Sequence, residues 1–129
     1  MLGGLRAGTC DWVVFTYKSK TELVLLSQGS DGLAGMTTAL EERNVNYAML
    51  RVEKEALNAR DITSEIERYV FVQWMPEGCS PMLRGAVNSH RGAVRQIFNP
   101  FQVDMAVESA DELAEDTIFK ELEATTSGH

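Results

Sequence analysis

The sequence predicts an α/β domain, a mixed sheet with helices on its faces. Two observations carry that expectation. Runs of β-branched and aromatic residues alternate with stretches of helical period, in the order β-β-α-β-β-α-β-α. A chain of 129 residues is also long enough for one sizeable core and too short for two, and no repeat or low-complexity linker divides it.

Residues 1–10 are short and glycine-rich, and read as a loose lead-in. Trp12 to Tyr17 is a strong strand, Lys18-Ser19-Lys20 a turn, and Glu22 to Ser27 the returning strand of a hairpin. Gln28 to Gly32 is a loop. Leu33, Met36, Thr37 and Leu40 then mark the inner face of a helix running to about Arg43, with Asn44 as its stop. Asn46 to Val52 is a third strand, with Tyr47, Met49 and Arg51 facing one way and Ala48, Leu50 and Val52 the other. The polar segment Glu53 to Glu67 fits either a hairpin extension or a short helix and loop, exposed in both cases.

Tyr69 to Trp74 reads as a central strand, because an aromatic and β-branched run of this length packs well when both faces are covered. Pro76 closes it and Glu77-Gly78 turns the chain. From Ser80 to Phe98 the period is helical. Leu83, Val87, His90, Val94 and Ile97 share one face, and Arg84, Asn88, Arg91 and Arg95 form a polar stripe one position over. Phe101 to Ala106 is the last strand, its Phe101, Val103 and Met105 alternating against Gln102 and Asp104. Ser109 and Glu112 form a capping box, and Leu113, Thr117, Ile118, Glu121 and Leu122 lay out a closing amphipathic helix. Residues 11–124 are thus one domain, and 125–129 a fraying tail.

The composition is that of an ordinary globular chain, 44% apolar and 24% charged. A net charge of -7 argues against nucleic acid, which demands many cations. The charge is uneven, however. No Asp or Glu occurs from Gly78 to Val103, the stretch that holds Arg84, Arg91 and Arg95, whereas the segment from Asp104 onward is strongly acidic. One reading is a basic helix that docks on an acidic protein surface; the other is a solvated helix face laced to acidic neighbours.

Chemistry is sparse. Cys10 and Cys79 have no metal or redox spacing, which fits a reduced, intracellular protein, and no apolar run approaches a membrane span. His90 lies on an apolar stripe and has no second histidine within reach, so no zinc set forms. Asp111, Glu112, Glu115 and Asp116 suit the start of a helix without a catalytic role. Gly29 to Gly32 lacks the spacing of a phosphate loop, and nothing pairs a nucleophile with an oriented base. The reading is a protein without catalysis, cofactor or metal.

Five stretches in order resemble the actin-depolymerising-factor (ADF) homology domain, closer to its coactosin and drebrin-like branches than to cofilin proper. They are Asp11 to Tyr17, Asn46 to Val52, Tyr69 to Glu77, Leu83 to His90, and Asp111 to Leu122. The resemblance implies the ADF-homology, gelsolin-like fold, with a five-stranded mixed sheet flanked by helices. It also implies a cytoplasmic protein of the actin cytoskeleton that binds actin, filamentous actin in particular. By position it assigns actin contact to Arg84, with Arg91, Arg95 and Asn88 extending the face, and adds Met82, Arg68 and Lys120. Three departures stand out. Ala86 occupies the place of a coactosin lysine important for filament binding, and the segment from Glu53 to Glu67 is long for its connection. The family's N-terminal helix is missing or shortened, which would leave part of one sheet face exposed and open to self-association. A member that has lost actin binding and serves as a protein-interaction module is the alternative, and Ala86 is what favours it.

Overall fold

The computed structural model describes residues 3–19, 22–57 and 63–127. Five strands, β1 (Trp12–Ser19), β2 (Glu22–Gly29), β3 (Asn46–Leu57), β4 (Thr63–Trp74) and β5 (Val103–Val107), form one sheet in the order β2-β1-β3-β4-β5. The first four pair antiparallel, while β4 and β5 run parallel, so the sheet is mixed. A parallel pair needs a crossover, and helix α3 (Pro81–Phe98) supplies it. The strand expected at the centre, β4, is second from the edge, and β3 is the middle strand. Val70, Phe71 and Val72 of β4 are nevertheless fully buried, because helices cover both faces there.

Strand alternation divides the core into two layers. On one face, Val14, Ala48, Leu50, Val70, Val72 and Trp74 pack against Met36 of α2 (Gly32–Ala39) and against Ile118 and Leu122 of α4 (Glu115–Ser127). On the other, Val13, Phe15, Tyr47, Met49 and Phe71 pack against Leu5 of α1 (Gly3–Ala7) and against Val87, Val94 and Phe98 of α3. The third strand thus faces as its alternation predicts.

Several boundaries differ from the sequence reading. The lead-in is a short helix, not a loose strand of chain, and its Leu5 is completely buried. Leu5 therefore covers part of the sheet face expected to be bare, and Val13, Phe15, Tyr47 and Met49 of that face are buried. Helix α2 stops at Ala39 rather than near Arg43, because Leu40 turns to an extended conformation and buries its side chain. Gly32 opens that helix at φ 71, a left-handed conformation that glycine adopts without a Cβ clash. The polar segment between the third and fourth strands is a hairpin extension, its backbones in register from Val52↔Arg68 to Leu57↔Thr63. Residues 58–62 and Lys20 lie outside the described residues.

At the C-terminal end, β5 begins at Val103. Phe101 precedes it and packs on the α3 side against Phe71, ring centroids 5.1 Å apart, opposite to the face expected. Glu112 completes a 3-10 turn (Ala110–Glu112), its carboxylate accepting from the backbone of Ser109 at 3.0 Å. Leu113 caps that turn before α4 starts, and α4 runs through Thr125 to Ser127 where fraying was expected.

Candidate functional site

Helix α3 is built to start abruptly. Ser80 is its N-cap, with its hydroxyl oxygen accepting from the Leu83 N–H at 3.2 Å, and Pro81 supplies the fixed φ of the first turn. The preceding turn is closed by the Cys79 N–H donating to the Pro76 carbonyl at 3.1 Å. That same carbonyl accepts from the Arg84 guanidinium at 3.2 Å. Arg84, read from sequence as the head of a solvent-facing stripe, is therefore half-buried and ties the helix to the turn.

The inner line of α3 is Val87, Val94 and Phe98. Leu83 and His90 flank it half-buried, and Ile97, expected among the inner residues, is 44% exposed. Steps of four and three drift around a helix of 3.6 residues per turn, so the last member of the stripe leaves the core and Phe98 takes its place. His90 lies beside Tyr17, ring centroids 6.3 Å apart, as a boundary residue.

The outer side of α3 carries Met82, Gly85, Asn88, Ser89, Arg91, Gly92 and Gln96, all exposed. Gly85 and Gly92 have open space where a Cβ would stand. Gly85, Ser89 and Gly92 fall at steps of four and three, a low ridge beside the arginine stripe. The signal is present in the sequence, where small residues repeat at the same spacing as the neighbouring arginines.

The arginines differ from one another. Arg91 is exposed and has no ion-pair partner among the described residues. It stands near the buried Tyr47 hydroxyl, whose pKa is raised by burial and by its hydrogen bond with Tyr17, the Arg91 charge opposing that rise. Arg95 pairs with Asp104 of β5 at 2.6 Å. Arg68 lies within β4, opposite Val52 and hence on the α2/α4 side, and Lys120 is exposed on α4. The structure gathers Met82, Arg84, Asn88, Arg91 and Arg95 on α3 and places Arg68 and Lys120 on the other face. Ala86 is half-buried on α3.

Residues 4–123 match the family of cofilin/tropomyosin-type actin-binding proteins. The chain belongs to that family. Coactosin from Dictyostelium discoideum is 28% identical over 109 residues, covering 84% of this chain and 71% of that protein. Coactosin from Entamoeba histolytica is 30% identical over 110 residues with the same coverage. Its crystal structure superposes with a TM-score of 0.79 at 26% identity, over 91% of this chain and 82% of that one. The solution structure of mouse coactosin, described as an actin filament binding protein, shares the fold at a TM-score of 0.75 and 21% identity, over 95% of this chain and 82% of that one. The family's fold is thus the five-stranded mixed sheet described above, and α3 is the helix on which the resemblance placed actin contact.

Among the described residues, no group of three His, Cys, Asp or Glu side chains is placed to hold a metal ion, and no helix is long and apolar enough to cross a membrane.

Proposed function

We propose that this protein binds filamentous actin through the outer face of α3 and modulates filament dynamics from the actin cytoskeleton. The observation that carries the reading is the exposed, acid-free outer side of α3, with Arg91 at its middle, in a member of an actin-binding family. Two interior glycines cost a helix about 0.5–1 kcal/mol each relative to alanine, a cost that makes sense where a partner surface must approach the backbone closely. Met82, 56% exposed at the helix start, offers an apolar contact, and Asn88 and Arg91 border the glycine ridge on one side with polar ones. The Pro76 carbonyl holds one donor of the Arg84 guanidinium in place. An acidic actin surface would be drawn to this face, with charge chiefly governing association rate and salt dependence.

Co-sedimentation with actin filaments at low and at physiological salt tests the proposal. The expected result is pelleting that weakens as salt rises, because exposed charges are screened. Absence of pelleting at low salt would instead favour a domain that has lost actin binding and serves another protein partner, the reading to which Ala86 points. Self-association through Leu25 and Leu26 of the edge strand β2 is checked in the same samples by sedimentation velocity.

A further inference from the structure

Asn46 and Gln73 are the buried polar side chains among the described residues. Asn46 is accounted for by its bonds to the Glu41 backbone and carboxylate. Gln73, on β4, has a less local partner. Its amide donates to Asp104 Oδ1 at 3.0 Å, while Asp104 Oδ2 meets the Arg95 guanidinium at 2.6 Å. The two carboxylate oxygens thus have separate tasks: a buried amide orients one, and the other receives an arginine of α3. Strand alternation puts Asp104 beside Phe71 in register, on the α3 side of the sheet. It is the first acid after a stretch of helix and loop without any.

We propose that Asp104 is a positioning residue that restrains the basic face of α3: held by Gln73, it neutralises Arg95 and thereby sets how strongly the helix attracts an acidic partner. The inference rests on the reading that α3 meets actin, and it extends that reading to the control of affinity. An arginine already paired presents little net charge to an approaching surface, so the free arginine, Arg91, and the backbone-tied Arg84 dominate attraction. Removing the Asp104 charge returns a third cation to the face.

Asp104→Asn is the informative variant, because its amide oxygen still accepts from Gln73 while the negative charge is gone. We expect its apparent Kd for filaments to fall about two- to fivefold at low salt, the range of an exposed ion pair, with a steeper salt dependence. Asp116→Asn, on α4, changes the net charge equally and should leave the Kd at the wild-type value. In the Arg95→Ala background, Asp104→Asn should bring no gain. The proposal is overturned if Asp104→Asn binds no tighter than Asp116→Asn, or if the gain survives without Arg95.

An actin-free measurement separates this inference from the filament reading. In phenylglyoxal labelling followed by peptide mass spectrometry, Arg95 should react more slowly than Arg91 in the wild type and at a similar rate in Asp104→Asn. Equal rates in the wild type overturn the restraint whether or not filaments bind. Wild-type protein that fails to pellet, with Arg95 still shielded in the labelling, overturns the actin reading and with it the proposed control of affinity.

Discussion

The two faces of the sheet solve the same burial problem with different side chains. On the α3 side, aromatic rings meet in sequence: Phe15 edge-on to Phe98 at 5.5 Å, Phe98 stacked on Phe71 at 4.8 Å, and Phe71 against Tyr47 at 6.1 Å. On the α2/α4 side the packing is mainly aliphatic, with Trp12 and Trp74 as its large rings. Each indole there secures its N–H, Trp12 to the Asp31 carboxylate at 2.8 Å and Trp74 to the Glu41 carbonyl at 2.6 Å. The surfaces differ as well, since α3 lacks acids and α4 opens with Glu115 and Asp116. Ring packing on its inner side holds α3 down, which lets its outer side carry glycines.

The largest effect should come from emptying that ring cluster. Phe98→Ala and, on the other face, Trp74→Ala should each cost about 3–5 kcal/mol, against about 2–5 kcal/mol for Ile118→Ala under α4. Chemical denaturation reads all three. A larger midpoint shift for Ile118→Ala than for Phe98→Ala would break the comparison.

Next in size is the functional difference between the faces. Arg91→Glu should weaken filament binding by about 2 kcal/mol, as for a central interface residue, while folding stability changes by less than about 0.5 kcal/mol. Lys120→Glu, on the opposite face, should leave pelleting near the wild-type level. Reversal of that order would move the contact surface to α4. Arg84→Ala should both weaken binding and cost about 0.5–1.5 kcal/mol of stability, because it also loses the bond to Pro76.

The smallest effect concerns how the α2/α4 side is held at its edge. Glu41 sits where burial by itself would raise its pKa, yet hydrogen bonds from Asn46, Asn44 and Thr16 outweigh burial and hold the carboxyl below its ordinary value. A carboxyl depressed in the folded state contributes stability above its unfolded pKa and loses it as pH falls through the folded value. Wild type should therefore lose this increment as pH falls below the ordinary carboxylate range. Glu41→Gln should be less stable by about 1 kcal/mol at neutral pH, with a flatter acid limb in thermal melts. An unchanged acid limb would show that Glu41 carries none of that dependence.

Much of this architecture was legible beforehand where local chemistry is strong. The helical period from Ser80 to Phe98, the alternation from Tyr47 to Val52 and the aromatic run into Trp74 each agree with one local conformation, and the fold uses all three. Leu5 was not legible as core, because glycines around it dilute any period, and its burial depends on the α3-side layer that β1, β3, β4 and α3 bring together. The choice between hairpin and helix in the segment from Glu53 to Glu67 was open for a different reason: its few apolar residues, with Ala56-Leu57 and Ile62 and Ile66 as the pairs, set no period.

For the candidate site, the residue types and spacing along α3 determined which side chains share a helix face, since 3.6 residues per turn follows from backbone geometry alone. The acid-free run and its arginines were likewise a property of the sequence. Which arginine keeps its charge available was decided by the tertiary structure. Asp104 reaches Arg95 only because β5 lies parallel to β4 with Gln73 beneath it, and Arg84 meets Pro76 only because the turn folds back over the helix start. Charge-bearing types are written in the chain, but pairing depends on distances of a few ångströms that folding alone sets, because the attraction between charges falls off with separation and with water between them.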